Sequence, residues 1–501
     1  MRQRTLLASS INNKNVAMIF SGLIEYNPET IDATDIRCDL CTSWDLAEDG
    51  MTYTFHLNEQ AKFSDGHPVT AEDVAYSFLA STCPECIPIR DGETVSSTVQ
   101  VKAYFEESRI IDDNTLEVKT QFPSPAFLLA LGSETWKVLP KHVEDAGKLQ
   151  TTADMGYLVG SGPFVHVRQV KAVSNHYERN PNYFKDGLPY LDGLDQFIIV
   201  DSGAGIAAYK AEQVLMSNGA DNFSDAEVLV LVAEEQDKLE LQWGVPKSVQ
   251  YMFFNTQNKP FDDARVRRAV HLALDRRALN YTFTDGQGIP YGTIFPPGLG
   301  FSYTEEEAAQ LPGNRYLNGE KHPDDLADAR ALLKEAGIPE QGFEVLLSTR
   351  NCCAYPDISA VVIEQLKEAF GWKVNLKVWE AAAGFNAYRD HDFTFVVQRG
   401  GANFSDPDAF LDRYTEGRLL FRWTGRVTPG MQALFDQQAR ELDVGKRRVL
   451  LREIEELVTN DVVATGFYWR RDHLVHNKRV KNFFFKEHIR KYETIWCDPK
   501  C

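Results

Sequence analysis

The sequence predicts an α/β protein built from more than one domain, on three observations. A strand, a tight turn and a capped helix follow one another within residues 41–78. Strands and helices alternate between residues 343 and 459. The chain has 501 residues, which implies two or three domains rather than one core. In the first stretch Tyr53, Phe55 and Leu57 alternate with Thr54 and His56, the period of a strand with one buried face. Asp65-Gly66 supplies a turn, and Pro68 and Val69 lead into Thr70. Thr70 with Asp73 three residues on has capping-box spacing, which predicts a helix from Ala71 to Leu79.

A comparable unit follows near the middle of the chain. Residues 251–255 read as a strand, and Lys259-Pro260-Phe261-Asp262-Asp263 as a turn. Asp262 is the expected N-cap of a helix that places Val266, Ala269, Val270 and Ala273 on one face. Residues 327–337 read as a helix stopped by Gly337, with Pro339 beyond it. Strands at 343–347, 372–379 and 393–397 interleave with helices at 359–370, 430–441 and 446–459. Such alternation implies a largely parallel sheet.

Composition narrows the function classes. Hydrophobic residues make up 43% and charged residues 25%, ordinary values for a globular chain. Against 53 basic residues stand 72 acidic ones, a net charge of −19, which argues against nucleic acid as a partner. No apolar run approaches the roughly 20 residues that span a bilayer; 127–131 is among the longest, so the chain reads as soluble. The eight cysteines fall in close sets: Cys38 with Cys41, Cys83 with Cys86, Cys352 beside Cys353, and Cys497 near Cys501. Disulfides are favoured over a four-thiolate zinc site or free thiols, with the connectivity open.

Catalysis finds little support. The chain has no Gly-x-Ser-x-Gly elbow, phosphate-binding glycine loop or His-Glu-x-x-His. Asp406 and Asp408 are the minimum for a glycosidase, but such close pairs are mostly turns. The histidines show no metal-ligand spacing. A binding protein with no enzyme activity, metal or cofactor is expected.

Several of these stretches together resemble family 5 extracellular solute-binding proteins, which carry peptides, nickel and other solutes to ABC importers. The first is residues 41–78 as a whole. The second joins Phe254-Asn255, Pro260-Phe261-Asp262, Val266-Arg267-Arg268-Ala269 and Leu274-Asp275-Arg276. Further matches are Gly160-Ser161-Gly162-Pro163-Phe164, Arg179-Asn180-Pro181-Asn182-Tyr183, the 327–337 helix, Ser405-Asp406-Pro407-Asp408 and Phe467-Tyr468. The resemblance implies a two-lobed clamp of the periplasmic-binding-protein type II kind, with a subdomain inserted in the first lobe. On that basis residues 1–24 begin lobe I, 25–136 form the inserted subdomain and 137–249 continue lobe I. Lobe II then runs over 250–476, and 477–501 return to lobe I. Residues 19–25 resemble segments that in the family lie tens of residues into the mature chain, so an export signal and first strand are expected upstream.

Ligand contacts are expected beyond the strand at 393–397, on Gln398, Arg399, Asn403, Phe404 and Asp406, with Arg350 opposite. Solvated turns are the competing reading. In peptide-binding members an aspartate here pairs with the ligand's α-ammonium, and the alignment puts Asn403 in its place. An amide lacks the charge for that pair. Arg350 roughly matches an arginine that holds the ligand carboxylate, a task for which the guanidinium fork is suited. Trp379, Phe385 and Trp423 could stack on a sugar or apolar group, or belong to the core. The resemblance implies a monomeric, extracytoplasmic binding subunit for an importer permease, carrying a peptide or peptide-like solute. The alternatives are an opine, oligosaccharide or other anionic metabolite as cargo, or a cytoplasmic ligand sensor.

Overall fold

A computed structural model of the chain describes residues 2–4, 16–27, 29–30, 34–83, 93–95, 99–133, 136–145, 158–217, 223–339, 342–402, 404–416, 418–486 and 489–498. The strand predicted around Tyr53 spans Thr52–Leu57 and sits inside a four-stranded antiparallel sheet, ordered Cys41–Leu46, Thr52–Leu57, Thr115–Thr120, Phe105–Asp112. Tyr53, Phe55 and Leu57 are buried and Thr54 and His56 half-buried, as the alternation requires. The helix beside it begins at Ala71. Asp73 fixes that start, its carboxylate accepting hydrogen bonds from the Thr70 amide and hydroxyl, both at 2.9 Å. The helix runs to Thr82, three residues past the expected end. Ser81 and Thr82 bond back to carbonyls one turn earlier, at 2.9 and 2.8 Å, and their face is covered by Trp136. Val74, Phe78, Phe127 and Trp136 complete this first core.

A five-stranded sheet organises the second half, in the order Lys373–Trp379, Glu344–Arg350, Phe395–Gly401, Leu239–Phe254, Ala464–Asn477. The first three strands pair in parallel. Leu239–Phe254 runs against both its neighbours, so the sheet is mixed rather than largely parallel. One apolar cluster covers each face: Met252, Phe254, Leu347 and Phe395 on one side, Tyr251, Phe253, Val396 and Trp469 on the other. The N-cap of helix Ala264–Ala273 is Asp263, not Asp262; its carboxylate accepts from the Arg265 amide at 2.8 Å. Arg267 in that helix is fully buried and donates to the Phe261 and Val462 carbonyls and to Asp461. Arg276 likewise reaches the Gly466 carbonyl at 2.9 Å. Both arginines are struts that tie helices to the start of the last sheet strand.

Leu239–Phe254 and Ala464–Asn477 are unusually long and pair antiparallel along most of their length. One end of this ribbon packs into clusters containing Leu239, Leu474 and Val475; the other lies in the two clusters of the sheet. Residues 243–248 and 470–473 belong to none of these clusters, and the register shifts there, on either side of Pro246.

Cys38 and Cys41 are joined as a disulfide, and Cys83 and Cys497 each take part in a further disulfide. The four-thiolate zinc reading is thereby excluded, because Cys38 and Cys41 carry no thiolate. Cys352 and Cys353 are free thiols.

The Gly160-Ser161-Gly162 stretch packs directly on backbone: a Cβ on Gly162 would lie 2.5 Å from the Ile19 carbonyl carbon and 2.7 Å from the Phe20 nitrogen. Gly162→Ala is therefore expected to destabilise the protein by about 1–3 kcal/mol in denaturant melts. Gly300→Ala, with nothing within 4 Å of the added carbon, should stay within about 0.5 kcal/mol of wild type. Equal stability of the two variants would refute this packing account.

Candidate functional site

The parallel strands Glu344–Arg350, Lys373–Trp379 and Phe395–Gly401 end along one edge of the sheet, the side on which α/β sheets receive ligands. Register places Arg350 beside Gln398, and Gln398 opposite Tyr251. Arg350 Nη2 donates to Gln398 Oε1 at 2.9 Å. The guanidinium lies 4.0 Å from the Phe385 ring centroid and 5.6 Å from that of Tyr355. Arg350 is only 8% exposed, yet its Nε finds no hydrogen-bond partner among the described residues. Gly384 makes room for it: a Cβ there would stand 2.4 Å from Arg350 Cγ.

Two more cations flank this pair. Arg399 is exposed at the rim. Arg413 donates to the Gly401 carbonyl and occupies the space that Gly400 leaves open, where a Cβ would fall 1.7 Å from Arg413 Nη1. Gly400, near the end of this strand, thus admits a guanidinium. Asp412, adjacent to Arg413, pairs instead with Arg418 at 3.0 Å. Among the described residues, no carboxylate stands within ion-pair distance of Arg350, Arg399 or Arg413. Burial pushes the Tyr251 phenol up, while Arg413 and Arg350 partly hold it down. Cys352, nearby, has its thiol pushed up to about 11 by burial and by Cys353, so it is not a thiolate at neutral pH.

The loop that follows leads to the first core. Phe404 is 1% exposed and packs in the cluster of Tyr26, Phe127 and Trp136; Asn403 lies outside the described residues. Asp406 caps helix Pro407–Leu411, accepting from the Asp408 amide at 2.9 Å, and takes both terminal nitrogens of Arg447 at 2.7 and 2.6 Å. Asp408 accepts from Tyr104 Oη at 2.7 Å and from Gln438 Nε2 at 2.6 Å. Tyr104 belongs to the first core, so this buried group ties the two halves of the molecule together. Arg440 over the Phe122 ring, at 5.0 Å, adds a second tie. Beside them lies a cavity of about 310 Å³, lined by Tyr104, Phe122, Phe404, Asp408 and Arg440.

Of the six expected contact residues, then, Arg350 and Gln398 come together, Arg399 stands at their rim, and Phe404 and Asp406 face the first core and Arg447. Phe385 is 44% exposed under Arg350, Trp379 is half-buried, and Trp423 is a core residue. Arg413, Tyr355 and Tyr104 escaped the sequence reading. Gly400 was the available signal for Arg413, since a Cβ there would meet its guanidinium; Tyr355 and Tyr104 have no such marker.

A family model described as bacterial extracellular solute-binding proteins, family 5 Middle, matches residues 35–418. Among curated proteins, the oligopeptide-binding protein OppA of Bacillus subtilis is 24% identical over 502 residues, covering 95% of this chain and 86% of that protein. Heme-binding protein A of Haemophilus influenzae is 27% identical over 424 residues, covering 80% and 72%. Among solved structures, the binding protein AgaA in complex with agropinic acid, from A. tumefacien R10, aligns with a TM-score of 0.78 at 22% identity, over 98% of this chain and 94% of that one. DppA from Helicobacter pylori with the peptide STSA gives 0.78 at 20% identity, with the same coverage. The fold is accordingly the two-lobed α/β clamp of periplasmic binding proteins.

Burial, with Asp406 adding to it, pushes the Asp408 carboxyl from its usual 3.8 up to about 6. Between these values the folded protein holds a proton that the unfolded chain has released. The group's stabilising contribution is complete below about pH 4 and lost as pH rises through about 6. Denaturant titrations at about pH 4.5 and about pH 7 should show wild type losing stability relative to Asp408→Asn as pH rises. Parallel curves would refute the assignment. Tyr104→Phe should cost about 1–3 kcal/mol by leaving Asp408 short of a donor.

Proposed function

We propose that this chain, which belongs to the bacterial extracellular solute-binding proteins of family 5, captures a peptide or peptide-like solute bearing an acid group between its lobes. It then closes on the solute and delivers it to the permease of an ABC importer. The observation that carries this reading is Arg350, a nearly buried guanidinium that, among the described residues, has one unpartnered nitrogen and no carboxylate, beside Arg399 and Arg413. A buried charge in that condition calls for an opposite one, and a ligand carboxylate fits the guanidinium fork. Curated relatives are named for oligopeptides, heme, deoxycholate and dipeptides, so membership of the family leaves the cargo open. Their names are all those of binding proteins; here too binding energy would drive closure, with no bond broken.

Asn403 favours one second reading. Because an amide cannot neutralise an α-ammonium, a non-peptide anion such as an opine would suit the same arginines without needing the missing charge. In either case the clamp works by bending the two-strand ribbon near Pro246, between lobe I (1–24, 137–249 and 477–501, with the subdomain 25–136) and lobe II (250–476). The protein acts as a monomer outside the cytoplasmic membrane, in the periplasm or its equivalent, and meets that membrane only through the transporter.

Mass spectrometry of small molecules released by denaturing the purified protein identifies the cargo. A carboxylate-bearing compound is expected; short peptides among the products distinguish the first reading from the second, and a cargo with no acid group would overturn both. With that compound in hand, Arg350→Met should weaken binding about 10- to 100-fold by calorimetry, the loss of one charged hydrogen-bonded pair. Unchanged affinity would remove Arg350 from the site.

A further inference from the structure

Three side chains from two separated segments meet on the surface of the first core. Asp65 and His67 lie in the turn before helix Ala71–Thr82, and His142 lies in helix Lys141–Asp145. His142 Nε2 stands 2.8 Å from Asp65 Oδ2, and His67 Nδ1 stands 3.3 Å from Asp65 Oδ1. The two imidazoles stack with centroids 4.1 Å apart and planes 23° from parallel. One donor atom from each residue falls within 4.8 Å of the other two. A tetrahedral cation at about 2.0–2.1 Å from each ligand holds neighbouring ligand atoms about 3.3 Å apart. The two histidine–carboxylate spacings, 2.8 and 3.3 Å, lie near that value but run to different oxygens of Asp65, and all three donor atoms lie within 4.8 Å of one another, so seating one cation takes a side-chain adjustment.

The cluster is held from behind. His67 returns its carbonyl to the Phe63 amide at 2.8 Å, and the Gly66 amide bonds the Phe63 carbonyl at 2.9 Å. Gly66 has a φ of +93°, a conformation that side-chain-bearing residues rarely adopt. The His67 amide donates to Asp65 at 3.2 Å. His142 rests 5.5 Å from the buried Phe63 ring, and its helix is pinned by the Lys141 amide on Asp73, at 2.8 Å. Both segments are thus fixed by contacts other than those among the three side chains. Support behind the ligands is what a metal site requires. All three side chains retain solvent access, which leaves coordination positions open.

We propose that Asp65, His67 and His142 form a binding site for a divalent first-row transition cation, with zinc as the reference ion and water completing the shell. Two imidazoles and one carboxylate suit zinc, nickel or copper, whereas calcium and magnesium favour oxygen ligands. The cation would cross-link the 63–67 turn to the 141–145 helix. No local motif marks the site, because His142 lies 75 positions after His67.

The test is calorimetric titration of untagged, chelator-dialysed protein with zinc chloride at about pH 7.5, alongside thermal melting with and without zinc. One zinc per chain is expected, with a melting temperature raised by zinc. His67→Gln and His142→Gln should each weaken binding at least about tenfold. His56→Gln, at a histidine paired with Asp45 outside this cluster, should bind as wild type does. So should the Cys352→Ser/Cys353→Ser variant. The site is refuted if wild type takes up no zinc, if His67→Gln binds normally, or if binding disappears with the two thiols. His67 is 59% exposed, so its substitution is the decisive one if His142→Gln lowers the metal-free melting temperature.

Discussion

The antiparallel pairing of Leu239–Phe254 with Ala464–Asn477 is the constraint on which the rest of the molecule depends. A strand's backbone must bond along its whole length or be solvated, so two long paired strands form a ribbon whose ends cannot move independently. One end carries Leu239, Leu474 and Val475 into cores that also hold Tyr209, Phe164 and Tyr177. The other carries Met252–Phe254 and Phe467–Trp469 into the two clusters of the mixed sheet. Between them the register slips on both sides of Pro246, and the side chains join neither set of cores. Proline withholds a ladder donor and a bulge concentrates twist, so bending there disturbs fewer hydrogen bonds than bending elsewhere. The two halves are packed into apolar cores at the ribbon's ends, while its middle is held by polar contacts such as Lys247 with Asp472 and His473 with Asp225.

Across the gap, the contacts that join the halves are polar and buried. Tyr104 and Gln438 donate to Asp408 while Arg447 grips Asp406. Two adjacent carboxylates share one guanidinium, and a neutral phenol completes the set. Such a group is costly to leave half-satisfied. Separating the halves would expose Asp408 to water and let it recover the hydration that closure removed. The joint therefore favours one geometry strongly without making opening prohibitive. Phe404, inserted among Tyr26 and Trp136, supplies the apolar part of the same seam.

What could be read in the sequence was local. Thr70 and Asp73 determine a helix start by themselves, and the spacing of Val266, Ala269, Val270 and Ala273 determines a buried face. The direction of Leu239–Phe254 was not legible, because a strand's orientation depends on its partners and not on its own pattern. Its first half was missed altogether, since Gly244 and Pro246 break the alternation that marks a strand. The site divides in the same way. Arg350 and Gln398 sit near the ends of recognisable parallel strands, so the rule for α/β sheets finds them. Phe404 and Asp406 follow in the same loop but turn away, because burial against a core formed by residues 23–138 outweighs exposure to a cleft. Arg413 leaves no trace in its own surroundings; only Gly400 marks its place.

The charge of the whole molecule sharpens the meaning of the arginines. A chain with a net charge of −19 repels anions at long range, and three cations without carboxylate partners among the described residues run against that background. At physiological ionic strength the repulsion decays over about 8 Å, so beyond that distance an anionic solute approaches largely unhindered. Inside the cleft the balance reverses, because a partly desolvated guanidinium is screened far less than surface carboxylates are. Arg350 is the extreme case: stacked on Phe385, bonded to a neutral amide and short of one acceptor. In a protein that needed no ligand there, a carboxylate from its many acidic residues would be the cheaper companion. On the proposed reading, leaving the position open would withhold stability from the empty state and reserve it for the occupied one, coupling the anion's arrival to the closing of the lobes.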